Sequence, residues 1–305
     1  MSSKLDKDKI NELCKLFNGS VMFDEPMKNH TSFKIGGPAD ILVEPNDIDS
    51  LKAILKFAKE NCIPLCYIGS GSNLLVRDSG IRGIVVKIAK GLDQLVTDDT
   101  HVSAGAGIYL PKLVREVASK GLSGLEFAAG IPGSLGGAIC MNAGAYGKVM
   151  SDVVKTVRVL DLFGNEKVLS KDEMCFKQKE SRLSSGDLIA IEADFELEVG
   201  NVDDINKLIS SYMESRREKQ PLNLPSAGCA FRNPDGQGAG RYIDMAGLKG
   251  TKIGDAQVSF KHANFIVNTG SASCEDVVEL MDVVKKTVFD KFGVCLTQEV
   301  RIIGN

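Results

Sequence analysis

The tract "GIPGSLGGAICMNAGAYG", residues 130–147, packs six glycines into eighteen residues. Turns alone do not need so many, so the backbone here passes close to something. Residue types leave two readings open: close approach of a large flat ligand, or tight packing of backbone between two layers. A second small-residue run, "YIGSGSN", covers residues 67–73. Its Gly69-x-Gly71 comes after a strand-like segment and invites comparison with a dinucleotide fingerprint. The third required position is Leu74 rather than Gly, and the residues after it read as a turn and a strand, not the helix whose N-terminus would hold a pyrophosphate. No Gly-Lys-Ser/Thr forms a P-loop either. There remains a run of backbone N–H groups able to nest an anion, with Ser70, Ser72 and Asn73 adding donors.

Around these tracts the chain reads as mixed α and β. Leu51, Ile54, Leu55 and Ala58 recur at helical spacing after a cap at Asn46-Asp47, which predicts an amphipathic helix over 48–61. "ADILVEP" before it and "PLCYIG" after it are strand-like and complete a β-α-β unit, and "GIVVKI" (83–88) is a further strand. Pro111 in the first turn and Gly121 past the end frame a second helix. Strands come next in "VVKTVRVLDL", "EKVLS" and "DLIAIEADFELEV", the first two joined by a hairpin turn at Phe163-Gly164-Asn165. From "VDDINKLISSYMESRREKQP" the pattern changes to a charged helix ended by Pro221, a Cys229 loop, two strands near 256–268 and a helix over 274–292. That last helix has Ser273 as cap, Asp276 at the capping-box position and Gly293 past its end. The change sets an expected domain boundary near residue 200.

Length and composition narrow the function. With 305 residues and 43% hydrophobic side chains the chain can bury a sizeable core in two or three lobes. A net charge of -3, with Lys and Arg scattered along the chain, offers nothing for nucleic acid. No apolar stretch reaches the roughly 18 residues that span a bilayer, and the start lacks a cleavable apolar leader. The expectation is a cytoplasmic protein acting on a small molecule. Its eight cysteines (14, 62, 66, 140, 175, 229, 274 and 295) suit free thiols rather than a disulfide framework. Cys62 and Cys66 have no second pair, and His30, His101 and His262 are far apart in sequence, so no metal site is expected.

Taken together, "HTSFKIGGPADILVEP", "YIGSGSNLLVRDSGIRGIVV", "GLEFAAGIPGSLGGAICMNAGAYG", "PSAGCAFRNP" and "LTQEVRIIG" resemble one family, the UDP-N-acetylenolpyruvoylglucosamine reductases. The likeness runs from about residue 20 to the end, and the short segment between Asn233 and Ala256 is similar to the type II form. The resemblance implies an α+β chain with an FAD-binding fold of the vanillyl-alcohol oxidase type in two lobes, 1–90 (with an N-terminal helix) and 91–200. An α+β substrate-binding domain, 201–295, and a C-terminal strand, 296–305, complete it. It also implies non-covalent FAD, NADPH as hydride donor, UDP-N-acetylglucosamine enolpyruvate as substrate and UDP-N-acetylmuramate as product, in peptidoglycan synthesis, with a monomer favoured.

By the same resemblance Gly69, Ser70, Gly71, Ser72 and Asn73 hold the flavin pyrophosphate. Gly130, Ile131, Pro132, Gly133, Ser134, Gly137, Ala138, Asn142, Ala143 and Gly144 border the flavin, which favours the ligand reading of the glycine-rich tract. Lys219, Asn233 and His262 fall at substrate-binding positions. The family places a Ser, an Arg and a Glu around the reacting carbons, and here the Ser position is Cys229 and the Glu position is Glu299. A free thiol, with a pKa near about 8.5, is a far stronger acid than a serine hydroxyl and a competent donor for protonating an enolate carbon. One departure stands out. Where the family has Tyr-Arg-x-Ser this chain has Gln178-Lys179-Glu180-Ser181, so the Arg role falls on Lys179, a point charge in place of a bidentate fork. Arg182 lies three residues on and replaces it only if the loop shifts. Two rival readings remain: an oxidase of the same fold using O2, and a weakly active or UDP-sugar-sensing paralogue.

Overall fold

The computed structural model describes residues 7–234 and 237–305. They divide into two compact units. One comprises the described residues through Phe23 together with Ile41–Ser70 and Gly83–Glu214, and the other Asp24–Asp40, Gly71–Arg82 and Ser215–Asn305. Among the described residues no helix is long and apolar enough to cross a membrane.

In the first unit, helix α1 (Lys7–Leu16) precedes α2 (Ile48–Glu60). The expected cap forms: the Asp47 carboxylate accepts the Ser50 N–H at 2.7 Å, which satisfies one of the donors a helix start leaves open. Leu51, Ile54, Leu55 and Ala58 are all buried on one face, and burial of each large aliphatic side chain stabilises by about 1.5–3 kcal/mol. The flanking strands Pro38–Pro45 and Leu65–Ile68 share a sheet but are not neighbours, because Ile81–Lys87 lies between them, parallel to Leu65–Ile68. The β-α-β expectation had no signal for that insertion. Helix α3 (Leu110–Ser119) starts with Pro111 in its first turn, as read from the sequence.

A second sheet of this unit orders Glu166–Ser170, Val154–Asp161, Leu188–Glu196, His101–Gly105 and Leu95–Asp98. The first two form the expected hairpin, with Gly164 N–H donating to the Asp161 carbonyl. Inside the glycine-rich tract the chain makes a short helix, α4 (Leu135–Cys140), which Gly136 and Gly137 concealed from a propensity reading.

Helix α5 (Val202–Lys219) contains the division between the units. The second unit then has α6 (Ala239–Met245), α7 (Cys274–Phe292) and a sheet of Ser226–Cys229, Phe265–Asn268, Ala256–Val258 and Lys252–Ile253. Arg301–Ile303 pairs in parallel with Leu74–Val76, the strand that succeeds the first glycine run in place of a helix. Helix α7 carries both expected ends. Ser273 Oγ accepts the Asp276 N–H at 3.0 Å and the Asp276 carboxylate accepts the Ser273 N–H at 2.9 Å. Gly293 closes the helix at φ 68°, where a side chain would be strained. Val277, Leu280, Met281, Val284 and Val288 form its buried face.

Replacing Ser273 by Ala removes the cap while Asp78 still accepts the Cys274 N–H at 2.9 Å. The expected cost is about 1 kcal/mol, seen as a lower urea midpoint by far-UV circular dichroism; an unchanged midpoint would show that Asp78 caps the helix alone.

Candidate active site

The first unit gathers the glycine-rich tract, the start of the first glycine run through Ser70, and Lys179. Gly69 continues the strand Leu65–Ile68, and a Cβ built on it would stand 2.1 Å from Ser134 Oγ. The two tracts therefore touch where the Gly69 backbone meets the Ser134 side chain, and a side chain on Gly69 would displace that hydroxyl. Ser134 is buried, caps α4, and lies in a segment tied to 106–110: Leu110 N–H bonds the Gly133 carbonyl, Leu135 N–H the Ile108 carbonyl and Gly136 N–H the Ala106 carbonyl, at 2.8–2.9 Å. Packing also accounts for Gly136 and Gly144, whose Cβ positions would meet Ala106 at 3.0 Å and Lys148 at 2.5 Å.

Gly137 is different. It is exposed, and the nearest atom to its Cβ position is Ser134 Oγ at 3.4 Å, which leaves room for a ligand atom to approach the main chain. Packing thus accounts for Gly136 and Gly144, while Gly137 keeps space beside its backbone. Ile131 N–H bonds the Ala128 carbonyl, Pro132 is exposed, and Ala138 is buried. Gly130 begins the bend, and Ala143 bonds back to the Ala138 carbonyl at 2.8 Å.

Asn142 organises the chain beyond α4. Its backbone takes φ 38°, a region Asn tolerates better than most residues. Its side chain donates to the Lys177 carbonyl at 3.1 Å and accepts the Ser151 N–H at 3.0 Å. Ser181 and Ser184 both donate to the Cys140 carbonyl, at 3.0 and 3.2 Å. Between these anchors Lys177 and Glu180 exchange backbone hydrogen bonds around a two-residue turn, Gln178-Lys179, with Lys179 at φ 58°. A left-handed lysine costs free energy, and such strain concentrates at functional loops. Arg182 is committed elsewhere. Its guanidinium makes a two-pronged contact with Asp187 at 2.7 and 2.6 Å, and that hydrogen bonding holds the Asp187 carboxyl well below the usual carboxylate range.

The second unit assembles around the Cys229 loop. Cys229 ends the strand Ser226–Cys229, opposite Phe265, after a bulge at which Gly228 takes φ 78°. The next three residues pair antiparallel with 297–299: Glu299 N–H bonds the Ala230 carbonyl at 2.8 Å and Arg232 N–H the Thr297 carbonyl at 2.8 Å. The register sets Glu299 opposite Ala230, the neighbour of Cys229 in the chain. Gly71, Ser72 and Asn73 join the same unit. The Asn73 side chain donates to the Glu299 carbonyl at 3.2 Å, and Ser32 Oγ lies 2.7 Å from the Ser226 carbonyl and 3.3 Å from that of Ser72. A Cβ on Gly71, at φ 68°, would stand 2.0 Å from the His30 carbonyl oxygen.

Cys229, Asn233 and His262 all line one cavity of about 600 Å³, within the usual range for a small-molecule site. Asn233 Oδ1 accepts the Ala239 N–H at the start of α6. His262 Nδ1 accepts the Asn264 N–H at 3.2 Å, so the neutral ring carries its proton on Nε2 and offers a donor. Burial pushes the His262 pKa down, which keeps that neutral form at physiological pH. Lys219 and Glu299 are not on the cavity wall. Lys219 is the exposed last residue of α5, and Lys261, on the wall, reaches the Arg217 carbonyl two residues before it. Sequence reasoning did not single out Arg241, Lys249 and Lys261, three cations on this wall against Asp244, which pairs with Lys249 at 2.6 Å. They come from three separate segments, so no run of charge marks them; the only local hint was Lys261 beside His262.

Residues 39–170 match the family model of an FAD binding domain, and residues 220–303 that of the "UDP-N-acetylenolpyruvoylglucosamine reductase, C-terminal domain". The UDP-N-acetylenolpyruvoylglucosamine reductase of Clostridioides difficile (strain 630) is 46% identical to this chain, covering 97% of each. That of Anoxybacillus flavithermus (strain DSM 21510 / WK1) is 49% identical over 96% of this chain and 97% of its own. The crystal structure of UDP-N-acetylenolpyruvylglucosamine reductase from Thermus caldophilus aligns with a TM-score of 0.79 at 35% identity, covering 93% of this chain and 98% of that one. The architecture is accordingly α+β, with an FAD-binding fold of the vanillyl-alcohol oxidase type. At these identities and over this share of the sequence, the chain belongs to the UDP-N-acetylenolpyruvoylglucosamine reductase family.

Proposed function

We propose that Cys229, Glu299 and Lys179 perform the proton-transfer half of this family's reaction, on a sugar nucleotide bound in the cavity that Cys229, Asn233 and His262 line. The overall reaction reduces UDP-N-acetylglucosamine enolpyruvate to UDP-N-acetylmuramate with NADPH. FAD, when bound, would supply the hydride chemistry that links NADPH to the enolpyruvyl double bond. The residues present fit that group, through the room beside Gly137 and the exposed Ser70 at the end of its strand. Ser72, Asn73 and the remaining cofactor candidates belong to the same proposal, as do monomeric state and a cytoplasmic location.

Hydride addition at the terminal carbon leaves negative charge on the adjacent carbon and its carboxylate. A fixed cation stabilises that charge as it forms, and the turn anchored by Asn142, Ser181 and Ser184 holds Lys179 for the task. Cys229 then gives its S–H proton to the enolate carbon, completing net addition of two hydrogens, and Glu299 takes part in the proton movement. His262, as an Nε2–H donor, and Asn233 orient the substrate. The observation that carries this reading is the pairing of 230–232 with 297–299, which brings the Glu299 strand alongside the loop whose Cys229 lines a cavity of substrate size.

Rapid mixing under anaerobic conditions separates flavin reduction by NADPH from re-oxidation by the enolpyruvyl substrate. Cys229→Ala is expected to slow re-oxidation by about 10²–10⁴ and leave reduction nearly unchanged, while Cys229→Ser keeps much of the rate and Glu299→Gln loses it. An Ala variant that re-oxidises like the parent refutes the assignment, and a parent flavin that the substrate fails to re-oxidise refutes the reaction.

Lys179→Ala is expected to slow re-oxidation far more than reduction, with Lys179→Arg restoring it. Arg182→Ala, which removes the exposed contacts with Asp187 and Ser185, should leave both halves near parental. A crippled Arg182→Ala beside a normal Lys179→Ala would move the charge-stabilising role to Arg182.

A further inference from the structure

Phe260 is 70% exposed. Single exposed apolar residues are ordinary, and what distinguishes this one is where it stands and how it is held. A Cβ on Gly250 would lie 2.4 Å from both Cε1 and Cζ of the ring, so the ring tip rests directly on backbone at Gly250, whose φ of 80° already favours glycine. Gly250 N–H bonds the Val258 carbonyl at 2.9 Å, Ser259 N–H bonds the Phe265 carbonyl at 2.8 Å, and Lys261 N–H bonds Ser259 Oγ at 3.1 Å. Both the seat and the loop that carries the ring are therefore fixed.

Gly250 and Phe260 are not themselves on the cavity wall, but each is the chain neighbour of a residue that is. Gly250 is next after Lys249 and Phe260 precedes Lys261, and both lysines are on the cavity wall with Arg241. Against these three cations the wall holds one acid, Asp244, a balance that favours a ligand carrying more than one negative charge. A pre-positioned aromatic ring next to such a wall matches a nucleoside diphosphate: flat base against ring, phosphates toward the cations.

We propose that Phe260 is the platform on which the uracil of the substrate nucleotide stacks, with its diphosphate directed toward Lys249, Lys261 and Arg241. This rests on the reading of the cavity as the sugar nucleotide's site. Uridine diphosphate is favoured over the adenine end of NADPH because Cys229, Asn233 and His262, assigned to the sugar-nucleotide substrate, line the same cavity.

The chain has no tryptophan, so Phe260→Trp in the FAD-loaded protein introduces a single reporter at the platform. UDP is expected to quench its emission saturably, while inorganic pyrophosphate competes with UDP without quenching. By calorimetry Phe260→Ala is expected to bind UDP on the order of tenfold more weakly, and Phe260→Tyr close to parental. The proposal is overturned if UDP binds parent and Phe260→Ala equally and leaves the tryptophan emission unmoved, or if 2′,5′-ADP quenches it and UDP does not. If a Lys249→Ala, Lys261→Ala double variant binds UDP as the parent does, the cavity reading itself falls, a failure distinct from that of Phe260.

Discussion

The Asn264 side chain, 1% exposed, donates to the Phe231 carbonyl at 2.8 Å and accepts the Phe231 N–H at 3.0 Å, while its own carbonyl accepts the Ala230 N–H at 2.7 Å. A buried amide satisfied in this way fixes a stretch of backbone that no regular ladder holds, and leaving either group unpaired costs about 1–3 kcal/mol. Three parts of the second unit depend on it. The 230–232 backbone is held flat enough for 297–299 to pair along it, which positions Glu299. Cys229, one residue upstream, inherits the same constraint. Asn264 also donates its N–H to His262 Nδ1, which sets the ring's tautomer. Site geometry on this unit therefore rests on one buried residue, through its side chain at Phe231 and its backbone at Ala230 and His262.

The first unit solves a similar problem with glycine and strain. Glycine at 69 and 136 lets the backbone pack directly on the Ser134 hydroxyl and on Ala106, and glycine at 144 does the same against Lys148; space is left open beside Gly137. The end of α4 then serves as an anchor: its Cys140 carbonyl accepts from two serines, and Asn142 grips Lys177. The Lys179 turn hangs from these bonds with a left-handed lysine at its tip. A lysine lacks the planar fork of arginine, and in the proposed role the rigid turn fixes where a flexible point charge begins.

Much of the fold was legible because local signals agreed with periodicity. For α7 the capping box at Ser273 and Asp276, the apolar face from Val277 to Val288 and the closing Gly293 all pointed the same way, and α2 and α3 were read nearly as well. Helix α4 was not legible, since two consecutive glycines argue against a helix that tertiary packing on Ala106 nonetheless imposes. Nor was the insertion of Ile81–Lys87 between two strands, because register and order are non-local. The glycine tracts announced themselves by composition, but only coordinates separate glycines that pack from one that leaves room. The cation wall of Arg241, Lys249 and Lys261, and the Phe260 seat on Gly250, were invisible for the same reason: each brings together residues that are not adjacent in sequence and are unremarkable alone. The family itself was readable from five motifs.

In the proposed mechanism a thiol acts as the acid at the position where the family resemblance implies a serine. A thiol donor must be protonated before transfer, so its contribution is present below its pKa and lost as pH rises through it. The most direct measurement is the pH dependence of anaerobic flavin re-oxidation by the enolpyruvyl substrate, compared between the parent and Cys229→Ser. The parent rate should fall through the thiol range, near about 8.5 for an ordinary cysteine, while the Ser variant shows no such fall. Superimposable profiles would contradict Cys229 as the proton donor.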